Sequence, residues 1–411
     1  MKIIESSNTR AVQRLIKRSV TANSGIESQV RRIVGGVQRR GDQALRTYAQ
    51  RFDKVSGALE ISQEEIREGA RQTPKPVRQA IKQAARHIRR VAARQLPKGW
   101  RSTVIPGVVV EQRVTPLDRV GCYVPGGRYP LPSSLLMTAL PAKVAGVKEI
   151  IATCPRPEPS VLAAAVEVGV SRLYRIGGAH AIAAFAYGTD TIPQVDKIVG
   201  PGNSYVSAAK SLVSPDCAID FYAGPTEIVI IGQRGNPDWI AADLIAQAEH
   251  DPDARVILLT SRKDLARKVV KTVSCRMASY PAALPAFSRH GVAIVTQSIN
   301  EAVTLCNKIA PEHAVCETES VARRLKKAGT IFVGAYGAQA AGDYVTGSNH
   351  VLPTGGAARF RGGLSAYDFV RVNSVQRISR EGLRRIAPTA ISLANAEGLV
   401  GHAASIATRI Q

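Results

Sequence analysis

The sequence has little that would place the protein in a membrane or in an oxidising compartment. No apolar run approaches the roughly 20 residues that a membrane-spanning helix needs. The first residues, Met1 to Glu5, carry charge at once and have no apolar signal-peptide core. The six cysteines are scattered and none forms a Cys-x-x-Cys pair, which is typical of free thiols in a reducing compartment. We therefore expect a cytoplasmic protein that has no membrane partner.

Aromatic and acidic residues are also scarce. Aromatics make up 5% of the chain, so aliphatic side chains and alanine must build the core. Only 32 Asp and Glu residues oppose 55 Lys and Arg residues, and the formal net charge is +23. Such an excess suits a nucleic-acid-binding protein as well as an enzyme with a basic surface.

The strongest basic stretch decides between these two classes. Between Arg71 and Lys98, apolar residues recur at helical spacing and the basic residues fall between them. No aromatic residues are interleaved there to stack on bases, and no zinc-finger or RNP motif is present. The pattern indicates a solvated helix face, and we expect no specific nucleic-acid partner.

The order of apolar runs predicts the fold class. From Arg119 onward, short apolar runs bounded by Gly and Pro alternate with Ala-rich helical runs. Strands are predicted in two series, first at 120–124, 149–153, 173–176 and 197–199, then at 227–231, 256–260, 292–295 and 330–333. Such alternation is typical of mostly parallel sheets with helices on both faces. The predicted class is α/β, with two Rossmann-like domains, a helical N-terminal region and a small helical C-terminal tail.

The predicted domains follow from these series. Residues 1–122 are expected to be a helical region that contributes, with residues 226–364, to the first α/β domain. Residues 123–225 are expected to form the second α/β domain. Residues 365–411 form a basic tail that is too small for its own core, so we expect it to pack on another domain or another subunit.

Three glycine-rich loops follow strands of the first series, at 121–127, 176–179 and 199–203. Glycine lets backbone amides approach a phosphate or a ring closely. None of the loops is a Gly-x-Gly-x-x-Gly fingerprint, so similarity to a standard dinucleotide fold is incomplete. Each loop alone suits an ordinary tight turn, whereas three at successive strand ends predict a shared crevice at the carboxyl edge of the sheet.

Two pairs of polar residues lie at predicted helix ends. Gln247 and His250 are three residues apart and share a helix face, so His250 suits either a metal ligand or a partner for the helix dipole. Glu312 and His313 directly follow another helix. A Glu-His pair suits acid/base catalysis, but it also suits a surface turn.

Further candidates lie nearer the C-terminus. Asp343 lies in a loop rich in Gly, Ser and Asn and could be a carboxylate ligand. Glu397 and His402 lie in the tail. Read singly, each has a structural explanation. No cysteine has a neighbouring His or Gly-rich elbow in the sequence, so we assign no catalytic thiol.

In combination, these motifs are specific. From Arg119 to the end, the chain strongly resembles the histidinol dehydrogenase family. The motifs occur in the family's order over nearly 300 residues, and the first 115 residues add little. The matching strings are Tyr-Val-Pro-Gly-Gly at 123–127, Pro-Leu-Pro-Ser-Ser at 130–134, Val-Asp-Lys-Ile-Val-Gly-Pro-Gly-Asn at 195–203, Ala-Gly-Pro-Thr-Glu at 223–227, Gln-Ala-Glu-His at 247–250, Ala-Pro-Glu-His at 310–313, Ala-Ala-Gly-Asp-Tyr at 340–344, Asn-His-Val-Leu-Pro-Thr-Gly-Gly at 349–356 and Ala-Glu-Gly-Leu at 396–399.

The resemblance implies a role for each matching residue. The implied catalytic acid/base pair is Glu312 and His313. The implied zinc ligands are Gln247, His250, Asp343 and His402. The implied substrate contacts are Thr226, Gln247, His250, His313, Asp343, Glu397 and His402. The implied NAD contacts are Tyr123, His180 and Asn203.

The resemblance also implies an activity, namely oxidation of L-histidinol through L-histidinal to L-histidine with two NAD, in histidine biosynthesis. His313 would take the hydroxyl proton and Glu312 would activate a water for the second step. One zinc ion per subunit and a homodimer with shared active sites are implied as well. The domain at 123–225 would lie on the NAD side, and the tail would pack on the partner subunit.

Two positions depart from the usual family pattern, and one alternative activity stays open. His180 stands where Gln is usual, and Thr226 stands where Ser is usual. The first replaces an amide by an imidazole at an implied cofactor contact, whereas the second keeps a hydroxyl. A relative that oxidises another small polar alcohol, such as a sulfonated diol, could keep the zinc and acid/base residues. Retention of Glu397, which meets the substrate amine in the family, favours histidinol.

Overall fold

A computed structural model describes residues 1–16, 24–126, 130–222 and 224–411. Gly127, which ends one of the matching strings, and Ala223, which begins another, lie outside these ranges. The strands are β1 (Lys2–Glu5), β2 (Glu60–Ile61), β3 (Trp100–Ile105), β4 (Val108–Pro116), β5 (Arg119–Tyr123), β6 (Glu149–Thr153), β7 (Arg172–Tyr174), β8 (Lys197–Val199), β9 (Ala218–Ile219), β10 (Glu227–Ile231), β11 (Arg255–Thr260), β12 (Val292–Val295), β13 (His313–Cys316), β14 (Thr330–Val333) and β15 (Val370–Ile378).

Helices alternate with most of these strands. They are α1 (Thr9–Ile16), α2 (Ser24–Tyr48), α3 (Gln63–Arg71), α4 (Lys75–Gln95), α5 (Pro132–Ala145), α6 (Pro159–Val168), α7 (Gly178–Tyr187), α8 (Ser204–Val213), α9 (Pro237–Ala248), α10 (Lys263–Arg276), α11 (Leu284–His290), α12 (Ile299–Ile309), α13 (Glu319–Ala322), α14 (Gln339–Gly342), α15 (Arg380–Ala396) and α16 (Val400–Ala407).

The first six-stranded sheet carries the polar residues near Glu312. Its strand order is β1-β12-β11-β10-β13-β14, and every neighbouring pair is parallel. Its central strands are buried on both faces and have apolar sequences such as Glu-Ile-Val-Ile-Ile in β10, as expected of a covered parallel sheet. Helices α9, α10 and α11 cover one face of this sheet, and α1 and α12 cover the other.

The second six-stranded sheet has the order β2-β7-β6-β5-β8-β9. All its pairs are parallel except β2 with β7. Its helices include most of the N-terminal region. α2 packs on α7 and α8, α3 on α6, and α4 on α5 and α6. Of the elements within residues 1–122, β1 belongs to the first sheet and α1 packs on one of its faces.

The basic helix α4 has the predicted character. Ile81, Ala84 and Ile88 are buried against α5 and α6, whereas the basic residues lie outward. This arrangement places the charge in solvent and the aliphatic stripe in the core.

A third sheet was not predicted. The antiparallel strands β3, β4 and β15 form it in the order β15-β4-β3. The N-terminal region and the tail are mostly helical, as expected, but each also contributes strands to this third sheet. β15 aligns nine residues of the tail with β4, from Val370 opposite Pro116 to Ile378 opposite Val108. The apolar residues of β15, in Val-Arg-Val-Asn-Ser-Val-Gln-Arg-Ile, are unevenly spaced, and seven of its nine residues are exposed, so the strand lacks the period of two that marks a half-buried strand.

The first residues of the tail pack within their own chain, whereas its last residues lie at the surface. Phe369 is fully buried next to α5, and Asp368 pairs with Lys197 and Arg361. Helices α15 and α16 pack mainly on each other. Within the described ranges, no helix combines the length and the apolar character that crossing a membrane requires.

Candidate active site

The candidate site lies at the amino ends of two adjacent parallel strands. β10 and β13 pair so that Ile228 is opposite His313. This register sets Glu312 beside Glu227 and next to Thr226, although these residues are 85 or more positions apart in the chain. The sequence left open whether Glu312 and His313 formed a surface turn, but both are buried, with 7% and 3% of their surface exposed.

Glu312 is held through one of its carboxylate oxygens. Its Oε2 accepts hydrogen bonds from the hydroxyl of Thr226 and from the backbone amide of Glu227, the latter at 3.0 Å. Burial raises the pKa of Glu312 to about 8, although the two hydrogen bonds act in the opposite direction. Because both bonds engage Oε2, the second oxygen remains available for chemistry.

His313 lies between two carboxylates. Its Nδ1 is 3.8 Å from Oε2 of Glu312, and its Nε2 is 3.9 Å from Oδ1 of Asp343. Burial lowers the pKa of His313 to about 3, so the imidazole is neutral near pH 7. The unprotonated imidazole can accept a proton, and its charged form would be stabilised by Glu312 and Asp343 when these groups are ionised.

Gln339 is a member of this cluster that the sequence analysis missed. Its Nε2 lies 3.3 Å from Nε2 of His313 and donates to Oδ2 of Asp343 at 3.2 Å. The available signal was its spacing, because Gln339 and Asp343 are four residues apart and share a face of α14 and its C-cap.

The end of α9 completes the group. Gln247 is fully buried and donates through Nε2 to the hydroxyl of Thr226. Its Oε1 is buried and has no hydrogen-bond partner among the described residues. Nε2 of the half-exposed His250 lies 3.9 Å from Oδ2 of Asp343, whose pKa is raised by burial and lowered in part by that imidazole.

Two predicted site residues are not part of this cluster. Glu397 caps α15 and His402 lies in α16, and both are exposed. No described group of three or more His, Cys, Asp or Glu residues forms a metal-binding cluster within the single chain. The structure therefore brings together Gln247, His250 and Asp343 and leaves His402 apart from them.

The predicted cofactor residues surround the three glycine-rich loops. The hydroxyl of Tyr123 accepts a hydrogen bond from the amide of Gly178 at 3.1 Å. A Cβ on Gly200 (φ +124°) would lie 2.1 Å from the carbonyl oxygen of Tyr123, so only glycine allows this approach. The loops thus meet at the carboxyl edge of the second sheet, around Tyr123.

Each predicted cofactor residue also has an intramolecular partner. Tyr123 is 4% exposed, and burial raises its pKa to about 12. His180 is 1% exposed and pairs with Asp53. Asn203 is exposed and caps α8 by accepting from the amides of Tyr205 and Val206.

The buried thiols are poor nucleophiles. Burial raises the pKa values of Cys122, Cys217 and Cys306 to about 12, and those of Cys154 and Cys316 to about 11. At neutral pH these groups are thiols rather than thiolates, and the thiolate is the reactive form.

Comparison with known proteins decides the family. The family model described as histidinol dehydrogenase matches residues 16–410. The chain belongs to the histidinol dehydrogenase family. It is therefore an NAD-dependent oxidoreductase of the histidinol dehydrogenase type.

Individual relatives cover almost the whole chain. A histidinol dehydrogenase from Methanothermobacter thermautotrophicus is 43% identical over 424 aligned positions, which cover 100% of this chain and 99% of that protein. A histidinol dehydrogenase from a Synechococcus species is 45% identical, and the alignment covers 94% of this chain and 92% of that protein. The crystal structure of histidinol dehydrogenase from Elizabethkingia anophelis has a TM-score of 0.94 at 32% identity, covering 100% of this chain and 98% of that one.

Proposed function

We propose that the protein oxidises L-histidinol through L-histidinal to L-histidine, reducing two NAD, and that the cluster around Glu312 and His313 is its catalytic centre. The observation that carries this proposal is the burial of a neutral imidazole beside a carboxyl group that is held through one oxygen and whose second oxygen has no hydrogen bond among the described residues. The pair provides one proton acceptor for the alcohol and one for water, as a two-step oxidation of an alcohol to an acid requires.

The two residues divide the proton transfers. In the first step, His313 takes the hydroxyl proton as the carbinol carbon loses hydride to NAD, which leaves the aldehyde. In the second step, Glu312 takes a proton from a water that adds to the aldehyde carbon, and the protonated His313 returns its proton to the aldehyde oxygen, which gives the hydrate and leaves His313 neutral again. Loss of one hydroxyl proton to His313 and of a second hydride to another NAD then yields the carboxylic acid. Burial favours the neutral form of Glu312, so its ionised form is a stronger base than an exposed carboxylate.

A zinc ion suits the donor atoms beside this pair. The amide oxygen of Gln247 is buried without a hydrogen-bond partner among the described residues, and it lies on the same helix end as His250. Together with Asp343, these residues offer one amide oxygen, one imidazole and one carboxylate, which is an oxygen/nitrogen set that zinc accepts. When bound, zinc would supply a Lewis-acid anchor for the nitrogen atoms of the substrate.

We propose that a second copy of the chain supplies the remaining ligand. His402 and the substrate contact Glu397 lie on the exposed tail helices, away from the cluster of their own chain. The same helices expose Leu393, Leu399 and Val400, with 60%, 42% and 74% of their surfaces accessible. An apolar surface beside two unused site residues supports a homodimer in which His402 of the partner subunit completes each site.

Tyr123, His180 and Asn203 are proposed as the NAD side of the site, within the α/β domain at 123–225. Their support is the meeting of three glycine-rich loops at one sheet edge, where α/β folds commonly bind ligands. All six cysteines have free thiols, which supports a cytoplasmic location.

The test is NADH formation from L-histidinol by the purified protein, with the amount formed per substrate measured. We expect two NADH for each histidinol consumed, and L-histidine as the product. Absence of turnover with histidinol, together with oxidation of a sulfonated diol, would overturn the proposed substrate.

A further inference from the structure

A buried carboxylate from the N-terminal region holds one of the cofactor-side loops. Asp53 ends a π-helical turn, Ala49–Asp53, that follows α2. Its Oδ2 accepts a hydrogen bond from the amide of Gly177 at 3.1 Å and lies 2.8 Å from Nε2 of His180. The side chains of Asp53 and His180 are 9% and 2% exposed, so water cannot readily replace these contacts.

The backbone fixes the direction of this carboxylate. Lys54 has φ +63°, a left-handed conformation that is uncommon for a residue with a side chain. The turn is closed by the backbone amide of Val55, which donates to the carbonyl of Ala49 at 3.3 Å. The ring centroids of Tyr48 and Phe52 lie 6.1 and 6.0 Å, respectively, from the ring centroid of His180. Asp53 is therefore presented to the loop by a hydrogen-bonded turn that packs on the ring of His180.

The loop itself is held at two successive amides. The amide of Gly177 is bound by Asp53, and the amide of Gly178 is bound by the hydroxyl of Tyr123. A Cβ on Gly177 would lie 2.8 Å from Pro155, so the loop also packs closely on the neighbouring strand end. The position of α7 relative to Tyr123 thus depends on these two hydrogen-bond acceptors.

We propose that Asp53 is a positioning residue for the cofactor site, setting the loop at Gly177–Gly178 and the imidazole of His180. The proposal rests on the proposed NAD side of the site at Tyr123, His180 and Asn203. Asp53 does not touch the cofactor. It acts by fixing the backbone and the imidazole, so its loss weakens dinucleotide binding more than it weakens the folded state.

The chain offers a matched control for a purely structural role. Asp42 in α2 accepts hydrogen bonds from the amide of Thr191, at 3.2 Å, and from the Thr191 hydroxyl. This pair also ties the N-terminal helices to the second α/β domain, but beyond the other end of α7. Asp42→Ala should therefore lower the melting temperature without changing affinity for the dinucleotide.

The experiment uses the full-length enzyme and three variants, Asp53→Ala, Asp53→Asn and Asp42→Ala. The measurements are the Kd for NADH by fluorescence, the KM values for NAD and histidinol, and the melting temperature. We expect Asp53→Ala to raise the Kd and the KM for NAD on the order of tenfold, since two hydrogen bonds at one buried oxygen are lost. The KM for histidinol should stay within about twofold of the original. Asp53→Asn should recover most of the affinity, because one amide oxygen can accept both bonds.

The outcomes separate the two proposals. If Asp53→Ala lowers stability as Asp42→Ala does and leaves the Kd for NADH unchanged, Asp53 is only a structural tie and this inference is wrong. If variants of Tyr123 and Asn203 bind NADH with the same affinity as the unmodified enzyme, the proposed NAD side is wrong as well. Should Asp53→Ala fail to fold, Asp53→Leu fills the same space but accepts neither hydrogen bond, so it should raise the Kd on the order of tenfold as well, and an unchanged Kd there would equally overturn the inference.

Discussion

Replacing Glu312 by Gln should separate the two oxidation steps. The Gln amide oxygen can take the place of Oε2 and accept from Thr226 and from the amide of Glu227, so the local structure should persist. Burial already favours the neutral acid near pH 7, since the pKa of Glu312 is raised to about 8. A neutral amide should therefore change the free energy of unfolding by no more than about 1 kcal/mol.

The catalytic effect should be much larger and confined to one step. An amide cannot accept a proton from water, and loss of a general base typically slows a reaction by ~10²–10⁴, or about 3 to 5 kcal/mol in activation free energy. Only addition of water to the aldehyde needs this base. Oxidation of histidinal should therefore fall by that factor, whereas oxidation of histidinol to histidinal should fall far less.

The assay is single-turnover NADH formation, started either from histidinol or from histidinal. Glu249→Gln is the matched control, because Glu249 is an exposed carboxylate in the neighbouring Gln-Ala-Glu-His motif, and both steps should keep their rates. Equal losses in the two steps of Glu312→Gln would refute the assignment of water activation to this residue.

Three further outcomes are expected. Chelation should abolish activity and zinc should restore it, with His250→Ala binding less metal by elemental analysis; full turnover by a metal-free preparation would contradict the zinc site. Mixing inactive His402→Ala and His313→Asn chains should restore up to about a quarter of the activity, since half of randomly formed dimers are mixed and each has one intact site, whereas no recovery would contradict shared sites. Asp243 is half-buried without a described partner, and burial raises its pKa to about 6. The folded state then binds more protons than the unfolded one between about pH 4 and 6, so stability falls as pH rises through that window. Asp243→Asn should remove that fall and raise the free energy of unfolding by about 1–2 kcal/mol at pH 7.5, after allowance for partial exposure. If the original protein and the variant each give the same urea denaturation curve at pH 5 and at pH 7.5, this prediction is contradicted.

The sequence by itself determined the α/β class, most central strands and the family. Parallel strands such as β5, β6, β10 and β12 are short apolar runs that glycine and proline bound, so a local pattern is enough to find them. The family motifs are also local strings, and they identify Glu312, His313 and Asp343 without any knowledge of the tertiary structure.

Only the tertiary structure decided which residues meet. The third sheet escaped prediction because β15 and β4 are far apart in the chain and neither is buried on a whole face, which leaves a weak pattern in each. β13 is only four residues long, so nothing in its sequence distinguishes a buried strand start at His313 from a turn. The contacts of Gln339 with His313, and of Asp53 with His180, join residues 26 and 127 positions apart. Such contacts depend on strand order and on how α2 packs on α7, and no local pattern in the chain encodes them.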